Sequence, residues 1–151
     1  MGDPTSGQRP IPNNLPARVQ PFVDREEELQ QVTQALFDPD IPIVTIAGMA
    51  GIGKTTLALE VAYRLLEQGQ FVGGICWLNC RSDNTLEAIQ RTIQTTFGLA
   101  LAPTAKDEVR RYLRTHPCLL ILDGYNEAAQ DMEILAFLDH LSKPGGQTRL
   151  R

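Results

Sequence analysis

Apolar residues along the chain fall into two kinds of pattern: short continuous runs, and positions spaced as on one face of a helix. Continuous runs are typical of strands buried on both faces of a parallel sheet. These runs span residues 41–47, 75–78 and 118–122. Helix-spaced positions predict helices near residues 25–37, 55–67, 86–97, 106–114 and 128–141. Because the predicted strands alternate with helices, we expect a three-layer α/β/α fold around a parallel sheet.

The two ends of the chain depart from this pattern. Prolines at positions 4, 10, 12, 16 and 21 remove backbone donors and favour extended structure, so residues 1–21 are predicted to form a linker or arm. The remaining residues, 22–151, are predicted to form one domain, as suits a chain of 151 residues. Residues 148–151 look like a strand that has just begun, which predicts a sheet truncated at its C-terminal end.

Local signals predict where two helices begin and which face of the last helix is buried. Asp24 with Glu27, and Asn84 with Glu87, have the spacing of a capping box, in which side chains satisfy the first backbone donors of a helix. One face of the last predicted helix collects apolar residues that are expected to point inward. These residues are Met132, Leu135, Leu138 and Leu141.

Charge and cysteine content narrow the range of functions. The formal net charge is −4 and the pI is near 5.1, which argues against nucleic acid as a partner because phosphate-backbone binding needs clustered Lys and Arg. The three cysteines have no His or Cys nearby at metal-binding spacing, which predicts reduced thiols in the cytoplasm. No apolar run approaches the roughly 18 residues of a membrane span, so no membrane partner is expected.

A glycine-rich motif follows the first predicted strand and opens a predicted helix. It reads Gly48, Met49, Ala50, Gly51, Ile52, Gly53, Lys54 and Thr55. In such a P-loop (Walker A motif), the glycines let backbone N–H groups wrap a phosphate, and the lysine places a point charge on the β- and γ-phosphates. The threonine hydroxyl is a Mg²⁺ ligand, and the helix dipole adds positive potential. Thr56 is expected only to support the start of the helix.

The P-loop therefore predicts binding of ATP or ADP with Mg²⁺. The alternative is a glycine-rich turn that binds nothing. That alternative would place Lys54 at the positive end of a helix dipole with no anion to balance the charge, so we favour the nucleotide.

An acid at the end of the third predicted strand is expected to share the site. The strand runs into Asp123, as in a Walker B motif, and parallel strands deliver their C-terminal ends to one crevice. Asp123 would then hold Mg²⁺, although a turn residue before Gly124 is the alternative. Glu127 lies close enough to polarise an attacking water, but an acid in the first turn of the next helix is equally expected there. The predicted catalytic residues are Lys54, Asp123 and Glu127.

Three segments together resemble the STAND class of signalling ATPases, which includes the NB-ARC and NACHT domains. They are residues 22–26, 48–56 and 119–127. In this class, the motif before the first helix contacts the adenine and ribose of the nucleotide, and the resemblance extends that role to Phe22, Val23 and Arg25. Without the resemblance, Phe22 and Val23 would be a hydrophobic staple for the helix. Asp24 stands where the class usually has glycine.

The resemblance also implies what the whole protein does. The segment around Asp123 is closer to the NACHT form, with Asn126 in place of one expected acid, which is compatible with slow hydrolysis that resets a switch. Members of the class carry a sensor arginine, a helical domain and a winged helix further along the chain, and they oligomerise when activated. Neither Arg149 nor Arg151 is assigned as the sensor.

The implied function is the nucleotide-binding core of an ATP/ADP switch with slow ATPase activity. A P-loop kinase or other ATP-consuming enzyme is one alternative, and it would need an acceptor pocket that the sequence does not reveal. A domain that holds nucleotide without hydrolysing it is another. A GTPase is disfavoured because no Asn-Lys-x-Asp motif is present.

Overall fold

The computed structural model describes residues 10–18, 25–38, 53–80, 82, 85–99, 105–124, 132–141 and 148–150. The predicted strand at residues 41–47 and the first five residues of the P-loop, 48–52, lie outside this set. Asp24, Asn84 and Asn126 also lie outside it.

Five helices and three strands are described, and their bounds follow the apolar pattern closely. In chain order they are α1 (Glu26–Phe37), α2 (Lys54–Glu67), β1 (Gly74–Asn79), α3 (Leu86–Phe97), α4 (Ala105–Thr115), β2 (Cys118–Asp123), α5 (Met132–Leu141) and β3 (Thr148–Leu150). The predicted helices and the second and third predicted strands are thereby confirmed over their described residues. The short strand β3 confirms the expectation for residues 148–150.

The three described strands form one parallel sheet in the order β1-β2-β3. The pairing of β1 with β2 runs from Gly74 opposite Cys118 to Asn79 opposite Asp123, so both strands end at the same edge. β3 pairs with the first half of β2. Parallel pairing of strands that are separated by helices is the arrangement of an α/β fold.

Both faces of β1 and β2 are buried, because successive side chains of a strand point to opposite faces. Ile75, Trp77, Leu119 and Ile121 pack in one hydrophobic cluster with the apolar faces of α1 and α2. The alternate residues, Cys76, Leu78, Cys118 and Leu120, pack in a second cluster with α3, α4 and α5. Double-sided burial explains why these strands are continuous apolar runs and not alternating ones.

The predicted helix caps are each wrong by one residue. The N-cap of α3 is Thr85 and not Asn84, and the Thr85 hydroxyl accepts a hydrogen bond from the N–H of Ala88 at 3.1 Å. The N-cap of α1 is Arg25 and not Asp24, and its side chain makes no capping bond. Arg25 instead pairs with Glu28, at 2.6 Å. Adjacent residues compete for a cap, and the register of the helix on the sheet decides between them.

The predicted inner face of α5 is also wrong. Met132 is 76% exposed and Leu135 is 36% exposed, whereas Ile134 and Phe137 are buried against the sheet. The helix carries apolar residues on more than one face, so its sequence allows more than one inward phase. Packing against β2, α3 and α4 selects the face that contains Ile134 and Phe137. The side chains of Leu138 and Leu141 lie outside the described set.

The three cysteines are buried, and no disulfide joins them. Burial raises the pKa of the Cys118 thiol to about 12, and the neighbouring Cys76 adds to the effect. The expectation of reduced thiols in the cytoplasm stays a prediction. No helix in the described residues is long and apolar enough to cross a membrane.

Truncation on the two sides of α5 should have very different effects on stability. We expect Ile134→Ala to lower the free energy of unfolding by about 2–5 kcal/mol, because it leaves a cavity in a closed core. Met132→Ala, the matched control on the same helix, should change it by less than about 0.5 kcal/mol. Urea unfolding followed by circular dichroism measures both. Equal losses would contradict the assigned inner face.

The cysteines should resist thiol reagents while the chain is folded. The thiolate is the reactive species, and at pH 8 the Cys118 thiol, with a pKa of about 12, is ionised in only about one molecule in ten thousand. Cys76 and Cys80 are shielded by burial. We expect modification of Cys118 to be at least roughly a hundredfold slower than in the unfolded chain. The measurement is the absorbance of a released chromophore at pH 8 with and without urea. Equal rates would show that the thiols are accessible.

Candidate functional site

The P-loop enters α2 through a glycine that the geometry requires. Gly53 is the N-cap of α2 and has φ of 79°, a left-handed conformation that favours glycine. A Cβ built on Gly53 would lie 2.8 Å from Nη1 of Arg25, so a side chain would also meet that guanidinium. The Gly53 carbonyl accepts the first helical hydrogen bond, from the N–H of Leu57 at 2.9 Å.

The N-terminal end of α2 is suited to an anion. Its first turn contains Lys54 and no acidic residue, whereas the first turns of α1, α3 and α4 all contain acids. Acids stabilise a helix N-terminus and cations destabilise it, so the position of Lys54 at the positive end of the dipole is unfavourable for the helix. A bound phosphate would reverse this, because it pairs with both the lysine and the unsatisfied N–H groups.

Thr55 and Asp123 meet at the C-terminal edge of the sheet. The Thr55 hydroxyl donates a hydrogen bond of 3.0 Å to Oδ1 of Asp123, across 68 residues of sequence. This contact joins the first turn of α2 to the last residue of β2. The structure thus brings together the two residues that the sequence predicted as Mg²⁺ ligands.

The backbone around Asp123 fixes where its carboxylate points. The Asp123 carbonyl accepts a hydrogen bond of 2.8 Å from the N–H of Cys80, which follows β1. The next residue, Gly124, has φ of 75° and turns the chain away from the strand. The ends of β1 and β2 are therefore held side by side, with Asn79 opposite Asp123.

Arg25 contacts the end of the P-loop from α1. Its Nη1 donates to the Gly53 carbonyl at 2.9 Å, and its Nε donates to Glu28 at 2.8 Å. The structure places Arg25 against the last glycine of the P-loop, whereas its expected contact with adenine and ribose stays a prediction. Sequence reasoning missed Glu28, which orients the guanidinium; its spacing of three residues from Arg25 on a helix was the available signal.

The described residues fit Mg²⁺ and a polyphosphate. Mg²⁺ prefers oxygen ligands and is commonly held by one or two protein groups together with substrate phosphates. Thr55 and Asp123 supply a hydroxyl and a carboxylate oxygen 3.0 Å apart, and they would hold the ion. The ion would neutralise charge on phosphate oxygens. Lys54 and the first N–H groups of α2 would hold the phosphates themselves.

Several predicted site residues lie outside the described set. They are Phe22, Val23, Gly48, Met49, Ala50, Gly51, Ile52 and Glu127. Thr56 is described and is half-buried in the first turn of α2, next to Thr55.

Comparison with known proteins identifies the family. The family model described as the NB-ARC domain matches residues 25–139, which is most of the chain. No solved structure gives a significant match.

Three relatives match most of this chain, each over a small part of its own length. The chain is 29% identical over 144 residues to the transcription activator GutR of Bacillus subtilis, a match that covers 83% of this chain and 17% of GutR. It is 31% identical over 121 residues to the disease resistance-like protein DSC1 of Arabidopsis thaliana, covering 72% of this chain and 10% of DSC1. It is 25% identical over 132 residues to replication factor C subunit 2 of Oryza sativa, covering 85% and 37%.

The chain thus spans less than two fifths of the length of these relatives. The family match does not rest on what these relatives are called. It extends from α1 to residue 139 in α5 and includes Lys54, Thr55 and Asp123. The chain belongs to the NB-ARC domain family and is a nucleotide-binding module of the STAND class of P-loop NTPases.

Proposed function

We propose that this chain binds ATP and ADP with Mg²⁺ at the junction of α2 and β2. The observation that carries the proposal is the hydrogen bond between Thr55 and Asp123, which places two Mg²⁺-type oxygens beside Lys54 at a helix N-terminus. The residues outside the described set would complete the site. Gly48 to Ile52 would wrap the phosphates, and Phe22 and Val23 would contact the adenine and ribose.

Arg25 would contribute to nucleotide binding in two ways: by direct contact, and by holding the end of the P-loop in place. Its guanidinium holds the carbonyl of Gly53, the last glycine of the P-loop, and Glu28 holds the guanidinium in turn. This fixes the left-handed residue that aims the first N–H groups of α2. Arg25 is therefore a positioning residue for the phosphate site in this proposal.

The site would work as a slow ATPase switch. In the proposed reaction, Glu127 accepts a proton from the attacking water, whose oxygen bonds to the terminal phosphorus as the bond from that phosphorus to ADP breaks. Lys54 stabilises the charge on the phosphates, and Asp123 would hold the Mg²⁺ that neutralises part of it. Family membership supports this reading, and so do relatives named as a transcription activator and as a disease resistance-like protein.

The proposal extends to the domain architecture, to the longer protein that contains this chain and to its location. A three-layer α/β/α domain is supported by the two hydrophobic clusters on opposite faces of the sheet. Exchange of ADP for ATP would release a longer protein, with helical, winged-helix and sensor domains, to form a homo-oligomer. A cytoplasmic location is supported by three buried cysteines that form no disulfide.

Loss of the P-loop lysine should weaken nucleotide binding. We expect Lys54→Ala to raise the Kd for ADP and ATP by roughly ten- to a hundredfold, because it removes a charge-assisted hydrogen bond. Arg91→Ala is the matched control: it removes one positive charge from an exposed residue of α3 that pairs with the exposed Glu87. Titration with fluorescent ADP and ATP measures both variants. Failure of the folded wild-type chain to bind either nucleotide, or equal losses in both variants, would contradict the proposal.

Loss of the strand-end carboxylate should remove the effect of Mg²⁺. We expect Asp123→Asn to bind ATP in a chelator within roughly threefold of wild type, but to gain almost nothing when Mg²⁺ is added, because a neutral amide is a poor ligand for the ion. Asp107→Asn, the same change at an exposed residue of α4, should keep the full Mg²⁺ effect. The same titration, run with and without Mg²⁺, measures the difference. A normal Mg²⁺ effect in Asp123→Asn would remove Asp123 from the ion site.

A further inference from the structure

The N-terminal residues 10–18 lie against the outer edge of β1. Among the described strands, β1 is at one end of the sheet, so its outward backbone groups need partners. The N–H of Ile75 donates to the carbonyl of Pro12 at 2.9 Å, and Asn13 makes a parallel bridge to Ile75. This short segment therefore occupies the position of an added strand.

Asn14 continues the pairing with its side chain. Its Oδ1 accepts the N–H of Trp77 at 2.6 Å, and its Nδ2 donates to the carbonyl of Trp77 at 2.9 Å. A side-chain amide carries both a donor and an acceptor, so it satisfies both backbone groups of one residue. The contact is specific, because an ionised carboxylate has no donor and a hydroxyl carries its donor and its acceptor on a single atom.

The segment then crosses to α2. Leu15 packs against the cluster that contains Trp77, and the hydroxyl of Tyr63 donates to the carbonyl of Pro16. Pro12 and Pro16 have no N–H, so the segment leaves few donors for a further strand. The segment therefore covers the edge of β1 but offers no comparable edge to a further strand.

Arg18 ends the segment in a charge pair with a buried acid. Glu60 of α2 is only 4% exposed, and Arg18 donates to its carboxylate from Nε at 3.0 Å and from Nη2 at 2.7 Å. Nη1 of Arg18 reaches Glu67 at 2.6 Å, and the guanidinium lies 5.4 Å from the ring centre of Tyr63. A buried carboxylate needs such a partner, because it is costly when unpaired.

We propose that the edge of β1 and the outer face of α2 form a recognition site for an extended segment, and that residues 10–18 occupy it as a releasable strap. No strap residue is itself buried, so release of the strap would uncover the edge of β1 and the Glu60 carboxylate but would remove no buried side chain from either core. Three strap residues make the contacts that recognise the site. Asn14 bonds to the backbone of Trp77, Leu15 packs against the apolar cluster, and Arg18 pairs with Glu60. The strap ties the chain before α1 to the helix that carries Lys54. The proposal does not depend on nucleotide binding.

Hydrogen exchange in the intact chain tests the strap. The variant Asn14→Ala/Arg18→Ala should speed exchange at the amides of Ile75 and Trp77 by at least roughly tenfold, while the central amides of β2 keep their wild-type rates. Arg91→Ala, which removes an exposed charge elsewhere, should change neither. Unchanged rates at Ile75 and Trp77, or equal acceleration throughout β2, would overturn the proposal.

A synthetic peptide of residues 10–18 tests recognition. At millimolar concentration it should restore slow exchange at Ile75 and Trp77 in the double variant, and it should have no effect on wild type, whose own strap fills the site. Adding Glu60→Gln to the double variant should abolish the rescue, because the peptide arginine then lacks its charged partner. Absence of rescue, or rescue that ignores Glu60→Gln, would overturn the recognition site. Wild-type protection that falls on dilution would assign the strap to a second copy and overturn the intramolecular assignment.

Discussion

The burial of both faces of β1 and β2 is the constraint on which the rest of the structure depends. Their parallel register places alternate residues in two cores, one under α1 and α2 and the other under α3, α4 and α5. The same register ends both strands at one edge of the sheet. Asp123 therefore emerges where the start of α2 passes, and its contact with Thr55 follows from the packing.

Helix α2 connects the parts of the domain that act together. Its first turn carries Lys54 and Thr55, its inner face fills one core, and its outer face binds α1 through a two-bond pair between Arg64 and Glu26, at 2.7 and 2.8 Å. The strap reaches the same outer face through Arg18. A shift of α2 would disturb all of these contacts together, so the phosphate site and the N-terminal segment share one rigid support.

Two cations lie at the start of α2, where the helix dipole favours negative charge. Lys54 lies at the positive end of α2, which costs stability in the absence of an anion, and Arg25 places a second cation on the carbonyl of Gly53. Glu28 pairs with Arg25, and the first turn of α2 contains no acidic residue. A local rule broken at one helix start, while α1, α3 and α4 obey it, is typical of a functional site.

The five described helices, the three described strands, the glycine at position 53 and the acid that ends β2 can all be predicted from the amino-acid sequence, because each is set by a local period or motif. The sequence did not determine the caps at Arg25 and Thr85, which depend on how each helix is seated. Nor did it determine the inner face of α5, since a helix apolar on several faces is oriented only by its neighbours. The pairing of Arg18 with Glu60 joins residues 42 apart in sequence, and no local pattern encodes it. Only the packing of the strap against β1 and α2 brings those charges together.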